Sequence, residues 1–457
     1  MKDLTVGSPI KVLWKYLLPM FGSVFFQQMY NIADSVVAGK FLGTNALAAV
    51  GNSYEITFVY LAFAFGCNIG ASLVIANFVG EKKFTELKTA VNTTVIVTMS
   101  TCAVLMLVGL LAGGSLLTLL NTPSEIYADS LLYLDIYTGG LAFTFIYNIT
   151  TGIFAAMGDS VTPFIFLVVS SLANIGMDVL FVVSFNMGVA GVAWATFICQ
   201  GVSGITAFIV LLVQLKKIKT ERKPKVFSKD IFKEFLRLAV PSTLQQSFIS
   251  IGNIAIQGLI NGYGTATIAG YSAALKFNNF SISSVVTVGN GLSNYVSQNI
   301  GAKKTDRIKK GIPAGFTITF GICLVFILLY ELAGEKIMLL FLNESDTEAI
   351  GVGALFLRIL SPFYLLASTK IIADSVLKGA GRMGMFMIGT FIDLIARVGF
   401  SFLFSYLFGS EGIWWSWSVG WLLGAICSWI FYFGKRWAQP KKSLRKFAET
   451  AETPQNA

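Results

Sequence analysis

Long apolar stretches separated by short polar segments recur along the whole chain. Residues 91–111 and 316–330 are typical, since each run is predominantly apolar and carries no charged side chain. The hydrocarbon core of a bilayer is about 30 Å thick and is crossed by roughly 20 residues of helix. The pattern therefore predicts an all-α, polytopic membrane protein with twelve transmembrane helices. Their expected positions are 13–38, 46–79, 89–113, 126–154, 161–185, 189–215, 234–260, 267–299, 310–333, 347–377, 385–408 and 412–434.

Composition and charge support a membrane protein and orient it. Charged residues make up 13% of the chain, whereas soluble proteins carry about 25%. Most of the 34 Lys and Arg residues lie in the termini, the central loop and the other loops on the same side. The positive-inside rule places that side in the cytoplasm, so we expect a multi-pass cell-membrane protein with both termini cytoplasmic. The net charge of +10 then sets topology, and no nucleic-acid partner is expected.

The chain contains an internal duplication. Residues 43–83 return as residues 264–304 at a constant offset of 221, and small slips extend the match in both directions. Duplicated apolar halves are typical of secondary transporters. Because each half has an even number of helices, both enter the membrane in the same direction, and a pseudo-twofold axis along the membrane normal relates two six-helix lobes. The expected domains are an N-terminal lobe at 1–218, a cytoplasmic linker at 219–233, a C-terminal lobe at 234–437 and a cytoplasmic tail at 438–457.

Several kinds of chemistry are disfavoured by the residues present. The chain has no His, and its five Cys residues show no metal-ligand spacing, so zinc chemistry and a Ser-His nucleophile are not expected. It also lacks a Walker A sequence. The sequence therefore predicts neither an enzyme nor a bound cofactor.

Polar residues inside the predicted helices are the candidates for function, because ionisable groups are costly in a bilayer. Asp34 lies deep in the first helix, Asn174 and Asp178 share one face of the fifth, and Thr196 lies on the sixth. Together they would form an all-oxygen cluster, which suits a hard cation such as Na⁺ or a proton shared between carboxylates. The alternative is that both carboxylates merely form hydrogen bonds to neighbouring helices.

Motifs spread over nearly the whole chain carry a family resemblance. They are Asn31-Ile32-Ala33-Asp34, Gly70-Ala71-Ser72, Gly158-Asp159-Ser160, Asn174 with Asp178, and the segment 188–196. In these motifs the chain resembles the multidrug and toxic compound extrusion (MATE) family of the multidrug/oligosaccharidyl-lipid/polysaccharide exporter superfamily. The resemblance implies two lobes around a central cavity, and export of organic cations in exchange for Na⁺ or H⁺. It also implies that Asp34, Asn174, Asp178 and Thr196 form a first-lobe cation site, lined by Tyr133.

The second copy of the repeat lacks this chemistry. Asp34 corresponds to Ile256, Asp178 to Ser401 and Thr196 to Trp417. The seventh helix also has no acidic residue where one branch of the family places one. The chain therefore resembles the first-lobe-coupled, DinF-like branch.

Three functions compete at this point. The favoured one is an antiporter that exports amphipathic, often cationic compounds. The second is a flippase for lipid-linked oligosaccharides from the same superfamily, which the acidic character of the first lobe disfavours. The third, a membrane-embedded enzyme or channel, lacks a supporting constellation of residues. We expect a monomer whose partners are its substrates and the lipid bilayer.

Further polar residues are candidates for the cavity and for a gate. Gln28, Met29, Tyr30 and Asn31 on the first helix, with Gln246 on the seventh, are predicted to line the substrate cavity. Glu55 and Lys276 occupy equivalent positions in the two repeats, so they are predicted to pair across the lobe interface; the alternative is that each is solvated.

Other polar and aromatic residues are expected to be structural. The i,i+4 spacing predicts the ion pairs Lys370–Asp374 and Asp393–Arg397, each within one helix. The Trp residues at 414, 415, 417 and 421 are predicted to anchor the last helix at the membrane surface.

Overall fold

The computed structural model describes residues 2–37, 41–42, 44–120 and 122–438. The side chains of residues 32–37, 44–45, 47–48, 54–55 and 436 lie outside this description. The expected tail falls almost entirely beyond residue 438, so its structure stays a prediction.

The described residues form fourteen α-helices and no strand. They are α1 (Pro9–Val37), α2 (Thr44–Glu81), α3 (Phe84–Leu119), α4 (Ser124–Gly139), α5 (Leu141–Ala156), α6 (Val161–Val179), α7 (Val189–Lys217), α8 (Lys229–Ile260), α9 (Thr265–Gly301), α10 (Thr305–Met338), α11 (Thr347–Leu360), α12 (Tyr364–Gly379), α13 (Met383–Phe408) and α14 (Ser410–Phe433). Helices α4 and α5 meet at a 49° bend and cross as one unit. Helices α11 and α12 are joined by the 3₁₀ turn Ser361–Phe363. The fold is therefore the expected one, with twelve spans in two lobes, α1–α7 and α8–α14.

The two lobes repeat one packing scheme. In the first lobe α2 packs against α3, α4 and α5, and in the second lobe α9 packs against α10, α11 and α12. Helix α1 lies along α6 as α8 lies along α13. Across the interface, α2 contacts α8 and α9, while α1 contacts α9 and α10.

Three spans are too polar to be recognised by hydropathy. Among the described residues, eight helices are long and apolar enough to cross a membrane, or nine if the bent pair counts as one span. The remaining spans are α1, α8 and α9, which all contact the opposite lobe. A helix that faces protein rather than lipid can carry polar side chains, so these three helices indicate where the working interface lies.

The tryptophan prediction for α14 is wrong for three of the four residues. Trp414, Trp417 and Trp421 are buried, whereas Trp415 is 44% exposed. Trp414 stacks on Tyr271 of α9 with a ring-centroid separation of 5.3 Å. These side chains point inward because α14 packs against α11, α12 and α13.

Candidate transport and ion-coupling site

A buried group of polar residues lies inside the first lobe. Asn174 and Asp178 on α6 are 2% and 0% exposed, and one helical turn separates them on the same face. Thr196 on α7 is also buried, and α7 packs directly against α6. An amide oxygen, a carboxylate and a hydroxyl are therefore enclosed in an apolar lobe.

Tyr133 of α4 lies at the same place in the lobe. Its ring packs against the small apolar cluster of Val182 and Val192. Val182 follows Asp178 by one turn, and Val192 precedes Thr196 by one turn. The structure thus brings the predicted residues on α4, α6 and α7 together. Their roles in ion coupling stay a prediction.

Asp34 belongs to the helix that lies along α6. Its side chain lies outside the described residues, but the backbone of α1 continues to Val37. Phe26 precedes Asp34 by two turns of α1, and its ring centroid lies 6.0 Å from that of Phe164 on α6. Gly22 also lies against the ring of Phe164. The packing of α1 on α6 is consistent with the predicted four-residue cluster.

The predicted cavity residues on α1 lie near the face that meets the second lobe. Leu17 and Met20 contact Gly291 of α9. Gln28 and Asn31 follow them by three helical turns, and Asn31 donates a hydrogen bond of 3.2 Å to Gln28. Met29 is 48% exposed, and Tyr30 is partly exposed.

Helix α8 presents Gln246 to the same interface. Ala239 and Thr243 contact Gly66 and Gly70 of α2, and Gln246 follows Thr243 by three residues. Glutamines from both lobes therefore lie along the seam between them. That these residues bind a substrate stays a prediction.

The seam is closed at the end of the lobes that carries most of the Lys and Arg residues, called here the basic end. Ser72 of α2 donates a hydrogen bond of 2.6 Å to Asn294 of α9. Ser297 donates one of 2.8 Å to the carbonyl oxygen of Leu73. Asn294 also donates to the hydroxyl of Tyr16 on α1, at 3.3 Å. These contacts are buried, so water is excluded from the seam here.

The segment before α1, residues 2–7, completes this closure. The backbone N–H of Leu4, which is 1% exposed, donates a hydrogen bond of 3.0 Å to Gln298 Oε1. Gln298 in turn donates to the carbonyl of Ala156 in the first lobe, at 2.7 Å. At the start of α10, Lys304 Nζ, from the residue before the helix, and Arg307 Nη1 donate to the carbonyls of Thr5 and Gly7, at 3.0 and 2.7 Å. The backbone N–H of Lys2 donates to the carbonyl of Met157 in the first lobe, at 2.9 Å, so residues of both lobes hold this segment.

Of the predicted gate pair Glu55 and Lys276, only the side chain of Lys276 belongs to the described residues. Lys276 is exposed, and its ammonium lies 4.5 Å from the centroid of the Phe341 ring in its own lobe. The side chain of Glu55 lies outside the described residues. The pairing of the two stays a prediction.

The second lobe contains a buried ion cluster on α12 and α13. Lys370 Nζ lies 2.9 Å from Asp374 Oδ2, which confirms the predicted pair within α12. It also lies 3.4 Å from Asp393 Oδ2 on α13. Ser428 of α14 donates a hydrogen bond of 2.6 Å to Asp374. One ammonium thus compensates two carboxylates.

The predicted pair Asp393–Arg397 is wrong. Asp393 turns towards Lys370 on the neighbouring helix, which offers a compact charge at 3.4 Å. The guanidinium carbon of Arg397 instead lies 4.5 Å from the centroid of the Trp417 ring on α14. Within the described part of the chain, Arg397 has no carboxylate within ion-pair distance. Sequence spacing could not reveal this arrangement, because the competing partners lie on other helices.

Comparison with known proteins gives a consistent result. The sequence model of the MatE family matches twice, over residues 19–180 and 241–403. The probable multidrug resistance protein YoeA of Bacillus subtilis is 30% identical, over 80% of this chain and 81% of YoeA. The probable multidrug resistance protein YpnP of the same organism is 26% identical over 98% and 99% of the two chains.

Solved structures match the fold. A transporter of the MOP superfamily from Pyrococcus furiosus superposes with a TM-score of 0.88 at 22% identity, over 99% of this chain and 98% of the other. A structure described as the outward-facing conformation of a multidrug resistance MATE family transporter gives the same TM-score and identity, over 99% of both chains.

A duplicated twelve-span fold with polar helices at the lobe interface is typical of membrane transporters. The double match and the relatives assign it further: the chain belongs to the MATE family of membrane transporters.

Proposed function

We propose that this protein is a secondary active multidrug efflux antiporter of the cell membrane. It exports amphipathic, often cationic compounds in exchange for Na⁺ or H⁺ by alternating access. The names of its relatives support the substrate class, since YoeA and YpnP are both described as probable multidrug resistance proteins.

The observation that carries the coupling proposal is the buried group Asn174, Asp178 and Thr196. Burying a carboxylate is costly unless a cation, a proton or several hydrogen-bond donors compensate its charge. An exchangeable Na⁺ or H⁺ can provide that compensation, and its arrival or departure changes the charge of the site. Such a change favours one arrangement of α1 and α6 over another, which links ion binding to lobe movement.

The closure of the basic end supports an outward-facing state. If the basic end is cytoplasmic, as the positive-inside rule proposes, both termini lie in the cytoplasm and the cavity opens to the outside. Alternating access then requires the contacts around Asn294 and Gln298 to break, so that the inward-facing state can form.

A transport assay in proteoliposomes tests the proposal. Purified protein is reconstituted with an imposed Na⁺ gradient or an imposed proton gradient, and a cationic amphipathic dye such as ethidium is added. We expect the dye to dissipate one of the two gradients and to be transported against its own gradient. Dye transport that depends on neither the Na⁺ gradient nor the proton gradient would contradict the proposal. Transport of a lipid-linked oligosaccharide instead of the dye would favour the flippase.

A further inference from the structure

The duplication makes a position-by-position comparison of the two lobes possible. In the double family match, residue 19 corresponds to 241 and residue 180 to 403, an offset of 222 to 223. The counterparts of the first-lobe cluster follow from these offsets and from the offset of 221 near Gly191 and Gly412. Asp34, Tyr133, Asn174, Asp178 and Thr196 correspond to Ile256, Phe356, Arg397, Ser401 and Trp417.

These counterparts also form one group in the second lobe. Phe356 and Trp417 have ring centroids 6.1 Å apart, and Ile256 belongs to the same hydrophobic cluster. The guanidinium of Arg397 lies over the Trp417 ring. Ser401 shares a hydrogen bond of 2.6 Å with Ser416, the neighbour of Trp417. The second lobe therefore has a site equivalent to the first-lobe cluster, built from different residues.

A positive charge is already present at this second site. Arg397 is 8% exposed, so its guanidinium is enclosed in the lobe. The face of an indole ring attracts a cation, and the attraction strengthens when water is excluded. Gly420 allows α14 to lie close to α13 beside this site, because a Cβ there would meet Asp393 O and Oδ1 at 2.8 Å and Arg397 Cβ at 2.9 Å. Among the described residues, Arg397 Nε has no hydrogen-bond partner, and the guanidinium packs on the Trp417 ring.

We propose that Arg397 is the resident cation of the second lobe. Its guanidinium occupies the place that corresponds to the coupling ion in the first lobe, and the second lobe therefore binds no coupling ion. The inference rests on the proposed cation coupling of the first lobe. Arg397 is then a positioning residue that keeps a fixed positive charge at the second-lobe site. Only the first lobe binds and releases an ion.

Chemical rescue tests this assignment. Arg397→Ala leaves a cavity over Trp417 that matches a free guanidinium ion. We expect dye transport to fall roughly tenfold or more, because the desolvated contact between the guanidinium and the Trp417 ring is lost. Millimolar guanidinium chloride should restore several-fold activity, and Arg397→Lys should retain part of it. Arg358→Ala is the matched control, since Arg358 is an exposed arginine of the same lobe. It should behave as the unmodified protein with and without guanidinium.

A second measurement separates this proposal from the proposed function. Thermal unfolding of purified Arg397→Ala should shift upward with millimolar guanidinium chloride, while the unmodified protein and Arg358→Ala should not respond. This shift needs no transport, so it survives even if gradient coupling fails. Full transport by Arg397→Ala without guanidinium, or an equal response of all three proteins, would overturn the assignment. So would binding of two radioactive Na⁺ ions per unmodified protein.

Discussion

Gly80 of α2 and Gly301 of α9 occupy equivalent positions in the two repeats, and each lies against a backbone carbonyl of the other helix. Gly80 meets the carbonyl oxygen of Gln298, and Gly301 meets that of Asn77. Asn77 and Gln298 are themselves equivalent at the offset of 221. The contact is therefore reciprocal, and the pseudo-twofold axis passes between α2 and α9 at the basic end. Only residues without a Cβ allow two helix backbones to approach in this way.

We expect Gly80→Ala and Gly301→Ala to weaken the closed basic end to a similar extent. The new methyl group collides with a backbone carbonyl, which cannot rotate away as a side chain would. In a background without native Cys residues, a cysteine placed at Ser72 should react faster with a maleimide applied from the basic side. Gly51→Ala is the control, because its Cβ would have no neighbour within 4 Å. Unchanged labelling in both variants would show that the helices adjust without opening.

Asp34→Asn and Asp178→Asn should each abolish gradient-driven export while leaving the protein folded. The substitution removes a charge at nearly constant volume, so it acts on ion binding rather than on packing. Dye transport in proteoliposomes measures the effect, and size-exclusion chromatography verifies the fold. Asp129→Asn, at an exposed position of α4, should transport normally. Gradient-driven export by Asp178→Asn would place the coupling site elsewhere.

Glu55 and Lys276 should meet only when the far ends of α2 and α9 approach each other. Position 55 lies about 33 Å along α2 from the crossing at Asn77, at 1.5 Å per residue. A pair 4 Å apart gains about 4 kcal/mol at an effective dielectric of 20, before desolvation is subtracted. Glu55→Gln should therefore shift the protein towards the outward-facing state.

The charge reversal Glu55→Lys with Lys276→Glu provides the matched experiment. If the residues pair, the ratio of inward-facing to outward-facing protein in the double variant should return part of the way to that of the unmodified protein. Labelling of cavity cysteines from each side of the membrane measures this ratio. Impairment equal to the sum of the two single variants would show that the residues act independently.

Lys370→Met should destabilise the second lobe by about 3–5 kcal/mol, because the buried Asp374 and the partly buried Asp393 would lose their shared cation. Thermal unfolding in detergent measures the loss. Adding Asp374→Asn and Asp393→Asn to Lys370→Met should recover most of the stability, since no uncompensated carboxylate remains in the cluster. Lys309→Met, at a position where 59% of the side chain is exposed, should leave the unfolding temperature unchanged. A triple variant as unstable as the single one would show that the lysine stabilises the lobe by packing.

The number and order of the spanning helices could be predicted from the apolar stretches together with the charge pattern and the duplication, although α1, α8 and α9 are too polar for hydropathy alone. The third span was expected at 89–113, and α3 covers Phe84–Leu119, because a helix continues through the headgroup region where hydropathy has already fallen. The bend between α4 and α5 was not predicted. It lies at the Gly139-Gly140 pair, and sequence alone does not show whether such a pair bends a span.

Contacts between helices distant in sequence could not be predicted. The i,i+4 rule assigned Asp393 to Arg397 because it considers one helix, whereas Lys370 of α12 is the actual partner. The polar run Asn294, Gln298 and Asn299 in α9 is a sequence signal for the closed seam. Its partners lie in the first lobe and in the segment before α1, so only the folded arrangement shows that the run closes the seam. The first-lobe cluster was expected because its residues follow a family pattern, and its role in ion coupling stays a prediction.

The hydrogen bond between Leu4 and Gln298 joins residues 294 positions apart in the chain, which has a consequence for synthesis. At roughly 5–20 residues per second, a ribosome needs about 15–60 s to reach Gln298 after Leu4 has emerged. During that interval the first lobe can be inserted and packed, but residues 2–7 have no second-lobe partner. The second-lobe contacts of this segment thus form long after the segment itself has been synthesised.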